Sequence, residues 1–248
     1  MPQDSESQGP RFRRVLLKLS GEALQGHRSA GVDPEVVTTF AQEVKAGREM
    51  GVQMALVIGG GNYFRGISEV GRQFDRATAD TVGMLATVMN ALVFCDVLER
   101  LGQPTRVMTA LQMPQVAEPF IRRRAIRHME KGRVVLLAAG TGHPFFSTDT
   151  AAVLRALEIQ ADAVLKGTKV DGVYTADPAR HSDAVRYDRV SFSRVLEEGL
   201  GVMDATAIAL CREHRLPLVV FDIRQPGNLV RLLSGEPIGT EVMQEEEP

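Results

Sequence analysis

The sequence predicts an α/β fold: a mainly parallel sheet with helices on both faces. Two observations carry this. Short β-branched apolar runs alternate with longer stretches of helical periodicity from one end of the chain to the other, and strands joined through helices pair in parallel. Glycine, proline or a capping aspartate marks most of the boundaries between them. The 248 residues, 44% hydrophobic and 24% charged, are ordinary for a globular protein. No internal repeat or linker-like stretch interrupts them. Residues 11–243 therefore read as a single domain between a polar tail, 1–10, and an acidic tail, 244–248.

Arg11–Ser20, RFRRVLLKLS, is the first strand. Asp33 as N-cap and Pro34 at the first helical position open a helix that Gly51 closes, with Val36, Val37, Phe40 and Val44 as its apolar stripe. Val52–Ile58 is the second strand. A long helical pattern follows from about Ala77 to Leu101, with Gly102 as its stop. Thr105–Thr109 reads as a short strand, and Glu118-Pro119 as the start of a helix ending at Gly132. Strand Val134–Ala139, the loop GTGHPFFSTD and a helix through Ile159 come next. Strand Ala163–Lys166 leads into a long loop reaching Asp188. A short helix near Ser193–Glu198, a helix from Asp204 to His214, strand Leu218–Phe221, helix Leu229–Leu233 and a last strand near Ile238–Val242 complete the chain.

Composition narrows the function. The formal net charge is −2, which gives no electrostatic reason to expect nucleic acid or a membrane surface. The basic cluster Arg122, Arg123, Arg124, Arg127 and His128 is flanked by Glu118 and Glu130, and reads as a solvated helix face or a subunit contact. No apolar run approaches the ~20 residues of a membrane span, and the first ten residues lack an apolar signal core. A cytosolic location follows as the expectation. Cys95 and Cys211 lack metal-site spacing and read as buried thiols.

The stretch with most chemistry is Ala55–Gly66, ALVIGGGNYFRG. Backbone N–H groups exposed by glycines at a strand end form an anion site, and Arg65 adds a fork of donors suited to phosphate. The spacing fits neither the Walker nor the dinucleotide-binding fingerprint. Lys18, near the end of a buried strand, either snorkels to solvent or neutralises a transferring phosphoryl group. Gly140–Thr150 is a second glycine-containing turn: Ser147 or Thr148 caps the next helix, and Asp149 either orients a lysine or favours the helix dipole. Phe145 and Phe146 either flank a base or belong to the core. Asp80 is either a solvated carboxylate or an acceptor for ribose hydroxyls. KGTKVDGVYTADP, Lys166–Pro178, is a polar loop with enough hydrogen-bonding groups to hold an adenosine.

Together these stretches resemble the bacterial uridylate kinases of the amino-acid kinase family. The resemblance runs from about Arg13 to Val242 and is carried by KLSGEAL at Lys18, GGGNYFRG at Gly59, GMLATVMNAL at Gly83, GTGHPFFSTD at Gly140 and VDGVYTADP at Val170. It implies a three-layer αβα sandwich and magnesium-dependent transfer of phosphate from ATP to UMP in pyrimidine nucleotide synthesis. By the same resemblance Lys18, Leu19, Ser20, Gly21, Gly61 and Arg65 face the ATP phosphates, and Thr168, Tyr174 and Asp177 the adenosine. Gly60, Asp80, Thr141, Gly142, His143, Pro144, Phe145, Phe146, Ser147 and Thr148 match the UMP site, while Asp149 and Asp204 orient the lysine. Magnesium is carried by the nucleotide phosphates, with no protein metal ligand assigned. The family pattern further implies a homohexamer, inhibition by UTP and activation by GTP at a site near Asp96, Arg106 and Arg133. There this chain departs from its relatives, with Cys95 where many carry arginine and Glu99 where some carry histidine. A non-catalytic nucleotide or anion sensor of the same fold is the alternative, but it would have no need for Lys18, Asp149 and Asp204 together. A kinase acting on a carboxylate or carbamate is the rival within enzymes, and the GTGHPFFSTD loop argues against it.

Overall fold

Strand β1 (Arg14–Leu19) lies near the middle of a nine-stranded sheet, paired in parallel with β2 (Gln53–Ile58) on one side and β6 (Ala163–Thr168) on the other. The computed structural model describes residues 9–64, 73–181 and 183–245. Beyond β2 come β5 (Val134–Ala138), β3 (Thr105–Thr109) and the two-residue β4 (Glu118–Pro119). Beyond β6 come β10 (Leu218–Asp222), β11 (Thr240–Met243) and β9 (Arg189–Ser191). All these pairings are parallel except β10 with β11. A separate antiparallel pair, β7 (Val173–Tyr174) and β8 (Arg186–Tyr187), lies outside the sheet.

The alternation of side chains along each strand builds the three layers. Val15, Leu17, Leu19, Met54, Leu56 and Ile58 face a core shared with α1 (Pro34–Glu49), α2 (Arg76–Arg100) and α7 (Asn228–Leu233). Leu16, Ala55, Val57, Val164 and Val220 face the opposite core, shared with α3 (Arg122–Glu130), α4 (Thr148–Glu158), α5 (Phe192–Glu197) and α6 (Ala205–Glu213). Burial on both faces explains why the strands read as continuous apolar runs. The result is the αβα sandwich that the sequence leads one to expect.

Several elements differ from the sequence reading. Glu118-Pro119 does not start a helix: it pairs with Met108 and Thr109 as the edge strand, where proline is tolerated because no ladder donor is needed on its outer side. The helix begins at Arg122, after Ile121, with no side-chain cap. The long loop before Asp188 contains β7 and β8, and β9 follows it; strands of two or three residues are too short to show alternation. β6 runs on to Thr168, past the expected end at Lys166, because Gly167 pairs with both Leu19 and Phe221. Helix α2 is also long and apolar enough, by length and composition, to cross a membrane. Half of its most apolar stretch is buried in the protein, through residues such as Val88, Ala91 and Phe94 packed on the sheet.

Candidate active site

Two lysines stand side by side near the carboxyl ends of the central strands. Lys18 of β1 and Lys166 of β6 are register partners, and both point to the α4 side of the sheet. Between them sits Asp149, in the first turn of α4, with Oδ1 2.6 Å from Lys18 Nζ and Oδ2 3.0 Å from Lys166 Nζ. All three side chains are largely buried. Two buried ammonium groups this close would repel each other strongly, and one shared carboxylate offsets that cost while leaving the cluster with one net positive charge. Lys166 also donates to the Val202 carbonyl.

The electrostatics follow from this arrangement. Burial alone pushes the Asp149 carboxyl up, but the charges and hydrogen bonds of Lys18 and Lys166 outweigh it and hold it below the ordinary 3.8. Burial lowers Lys166, Asp149 partly restores it, and the Lys18 charge lowers it further, so that its ammonium lies below the usual lysine range. The site thus favours a further anion, which would neutralise the remaining charge.

Glycine turns bring backbone close to this cluster. After β2, the Gly59 N–H donates to the Leu19 carbonyl at 2.9 Å, tying the turn to the end of β1. Asn62 and Asn90 exchange side-chain hydrogen bonds of 2.7 and 2.9 Å, and Asn90 also donates to the Gly59 carbonyl at 2.7 Å. A Cβ on Gly21 would lie 2.3 Å from Asn62 Oδ1, and one on Gly60 would lie 2.7 Å from both Ala86 Cβ and the Gly83 carbonyl. Only glycine allows the first turns after β1 and β2 to pack this tightly.

Two clefts flank the cluster. The first, about 310 Å³, is lined by Gly60, Gly61, Asp80, Gly140 and Phe146–Thr148 among others. Asp80 is engaged there: Arg76 Nε contacts both its oxygens at 3.0 and 2.9 Å, and the Phe145 N–H donates to Oδ2 at 2.7 Å. Thr141 Oγ1 closes a small turn with His143, while Gly142 takes φ 84° and Phe145 φ 71°. Phe145 and Phe146 are exposed, not core. Pro144 lies between Thr141 and the α4 cap; that cap is Ser147 and not Thr148. The second cleft, about 660 Å³, runs along Lys166, Thr168, Gly172–Pro178 and Gly199–Val202. Thr168 Oγ1 bonds with the backbone of Val170, the Tyr174 hydroxyl donates to Asp171 at 2.7 Å, and Asp177 caps the Ala179 N–H at 3.0 Å.

Other expected residues fall into place unevenly. Leu19 is buried, and Ser20 caps the short 3-10 turn Gly21–Leu24. Asp204 caps α6 and accepts from Ser147 and from Thr150 Oγ1, the latter at 2.9 Å. Its side-chain hydrogen bonds thus go to the first turn of α4, while its charge also bears on Lys166 of the lysine pair. Arg65 lies outside the described residues. Asp96, Arg106 and Arg133 are at the other end of the molecule, near the start of β3 and β5. There Asp96 pairs with Arg100, Arg106 with Glu99 at 3.4 Å and Glu118 at 3.7 Å, and Arg133 with His128 at 2.8 Å. Cys95 is half-buried, with its thiol pushed up to about 11 by burial and by Glu99, and Cys211 is buried and pushed up to about 12. Lys166 is the site residue that sequence reading left unassigned. Its signal was a lysine inside an apolar strand, the same one that singled out Lys18.

A parallel sheet whose carboxyl edge holds paired lysines between two clefts defines an α/β protein suited to phosphoryl chemistry. The sequence model of the Amino acid kinase family matches residues 13–222, and the chain belongs to that family. Within it, the chain is 58% identical to the uridylate kinase of Zymomonas mobilis subsp. mobilis over 238 residues, 96% of this chain and 98% of the relative. It is 59% identical to that of Paramagnetospirillum magneticum over 230 residues, 93% of this chain and 96% of the relative. The crystal structure of UMP kinase from Bacillus anthracis superposes with a TM-score of 0.92 at 37% identity, covering 95% of this chain and 97% of that one.

Proposed function

We propose that this chain is a UMP kinase, transferring the γ-phosphoryl group of ATP to UMP. The observation that carries the reading is the Lys18–Asp149–Lys166 cluster set between two clefts. UMP occupies the cleft of Gly60, Asp80 and residues 141–148. ATP occupies the cleft of Thr168, Tyr174 and Asp177, its phosphates reaching Lys18, Leu19, Ser20, Gly21, Gly61 and Arg65. An oxygen of the UMP phosphate attacks the γ-phosphorus, the bond from that phosphorus to the β–γ bridging oxygen breaks, and ADP leaves with that electron pair. The nucleophile is already an anion, so no general base is needed. Lys18 and Lys166 offset the charge gathering on the equatorial and leaving oxygens, and Asp149 holds them in place. Asp204 steadies the start of α4 through Ser147 and Thr150.

Among the described residues no three His, Cys, Asp or Glu side chains cluster as a metal cage, and both Asp149 oxygens face lysines. That donor set fits a magnesium ion held by the nucleotide phosphates, as this ion commonly is, where it supplies further charge neutralisation. We further infer one catalytic domain over residues 11–243, a cytosolic homohexamer, competition of UTP for the UMP cleft, and GTP activation through Arg106 and Arg133. A sensor without catalysis is disfavoured by the two buried lysines, which simple binding does not require. A coupled assay of ADP release with UMP, CMP, dUMP and aspartate offered in parallel decides the matter. UMP should be strongly preferred; no UMP-dependent ADP release would remove the proposal.

A further inference from the structure

We propose that Arg155 positions the loop 140–148 from behind, and so sets affinity for the acceptor nucleotide without touching it. The inference rests on that loop being the acceptor site. Arg155, in the last turn of α4, is only 7% exposed, and a buried guanidinium needs partners for its donors. Nη1 donates to Glu158 Oε2 at 2.6 Å, while Nη2 donates to the carbonyls of Gly140 and Thr141 at 3.3 and 3.4 Å. Its flat face stacks over Phe120, with Cζ 4.2 Å from the ring centroid.

The loop needs such a hold. Ala139, Gly140, Gly142 and Phe145 have φ of 62°, 58°, 84° and 71°, and two of these four carry side chains that disfavour the left-handed region. A segment in that conformation persists only where its surroundings over-determine it. On one side α2 supplies the anchors: the Ala139 N–H donates to Thr87 Oγ1 at 2.8 Å and the Phe145 N–H to Asp80 Oδ2 at 2.7 Å. On the other side Arg155 holds two consecutive carbonyls at the root of the loop. Thr87 and Asp80 line the first cleft; Arg155 does not, so it acts through the loop alone.

The guanidinium is matched to this task because its fork reaches two carbonyls and a carboxylate while its plane lies on an aromatic ring. A lysine keeps the charge but not the fork or the stacking. Arg155→Lys is therefore expected to raise the KM for UMP roughly tenfold, with kcat at saturating UMP and the KM for ATP little changed. Calorimetric titration of UMP should show the same loss of affinity without turnover. Phe120→Leu, which removes only the stack, should shift UMP affinity in the same direction by roughly threefold, and it serves as the test should Arg155→Lys fold poorly. An Arg155→Lys or Phe120→Leu protein with unchanged UMP affinity, or with both nucleotides weakened alike, overturns the inference. Absence of UMP-dependent activity and UMP binding in the unaltered protein would instead overturn the acceptor-site reading beneath it.

Discussion

Charge inside a parallel sheet is costly, and Lys18 shows how the cost is met. Leu17 and Leu19 point into the α1–α2–α7 core, leaving Lys18 to emerge on the α4 side, 2.6 Å from Asp149. In the proposed reaction a fixed cation there would act on charge that develops during transfer, with less bearing on how UMP is bound. Lys18→Ala should therefore lower kcat by roughly 10²–10³-fold, the loss typical of one preorganised charge-stabilising donor, while UMP affinity measured by calorimetry stays within a factor of about two. Near-normal kcat would show that Lys18 does not meet the transferring group. Lys18 was legible in the sequence because it broke a local pattern, a charge within an apolar run, whereas Asp149, an acid where the helix dipole already favours one, was singled out by the family resemblance. Lys166 broke the same pattern but stood next to Gly167, which reads as the end of a strand. The pairing of Gly167 with Leu19 and Phe221, invisible to local sequence, makes it strand interior.

At the scale of elements, α4 does the most to assemble the site. Its cap, Ser147, is bound to Asp204, its first turn carries Asp149, and its last turn carries Arg155. Asp149→Asn would leave Lys18 and Lys166 facing each other, both largely buried and without the carboxylate that bridges them, with only the charge of Asp204 still bearing on Lys166, a loss of about 3–5 kcal/mol of stability at neutral pH. The pH dependence has a definite sign. Asp149 is lowered below 3.8 in the folded state, so its stabilisation is complete above that ordinary value and is lost as pH falls through the lower folded one. Urea unfolding from pH 8 down to pH 2.5 should show the gap between the two proteins wide at neutrality and closing in acid. A gap that stays constant would mean that the carboxylate charge is not what stabilises the cluster. Capped helices such as α1 were readable because Asp33, Pro34 and Gly51 mark both ends. The short strands were not: β4, β7, β8 and β9 are two or three residues long, too short to show alternation, and β9 is held by β11, far along the chain.

At the scale of the whole molecule, α2 has two different faces. Ala79, Val88, Ala91, Phe94 and Leu98 are buried in the fold, whereas Val82, Leu85, Met89 and Leu92 are 39%, 43%, 47% and 37% exposed. Single exposed apolar residues are normal on any protein, but these four recur at spacings of three and four along one helix and form a continuous stripe. Within the proposed homohexamer, a stripe of this kind is suited to packing against its own copy across a two-fold axis, where the same patch serves both subunits. The side chains point away from the sheet, so charging them should leave the monomer folded. Replacing Leu85 and Met89 together by glutamate would place four carboxylates in a self-paired contact, and light scattering after gel filtration should then show a smaller assembly than the unaltered protein at equal concentration. Circular dichroism should show the helix content retained. A folded double variant with unchanged mass would place the subunit contacts on some other face of the sandwich.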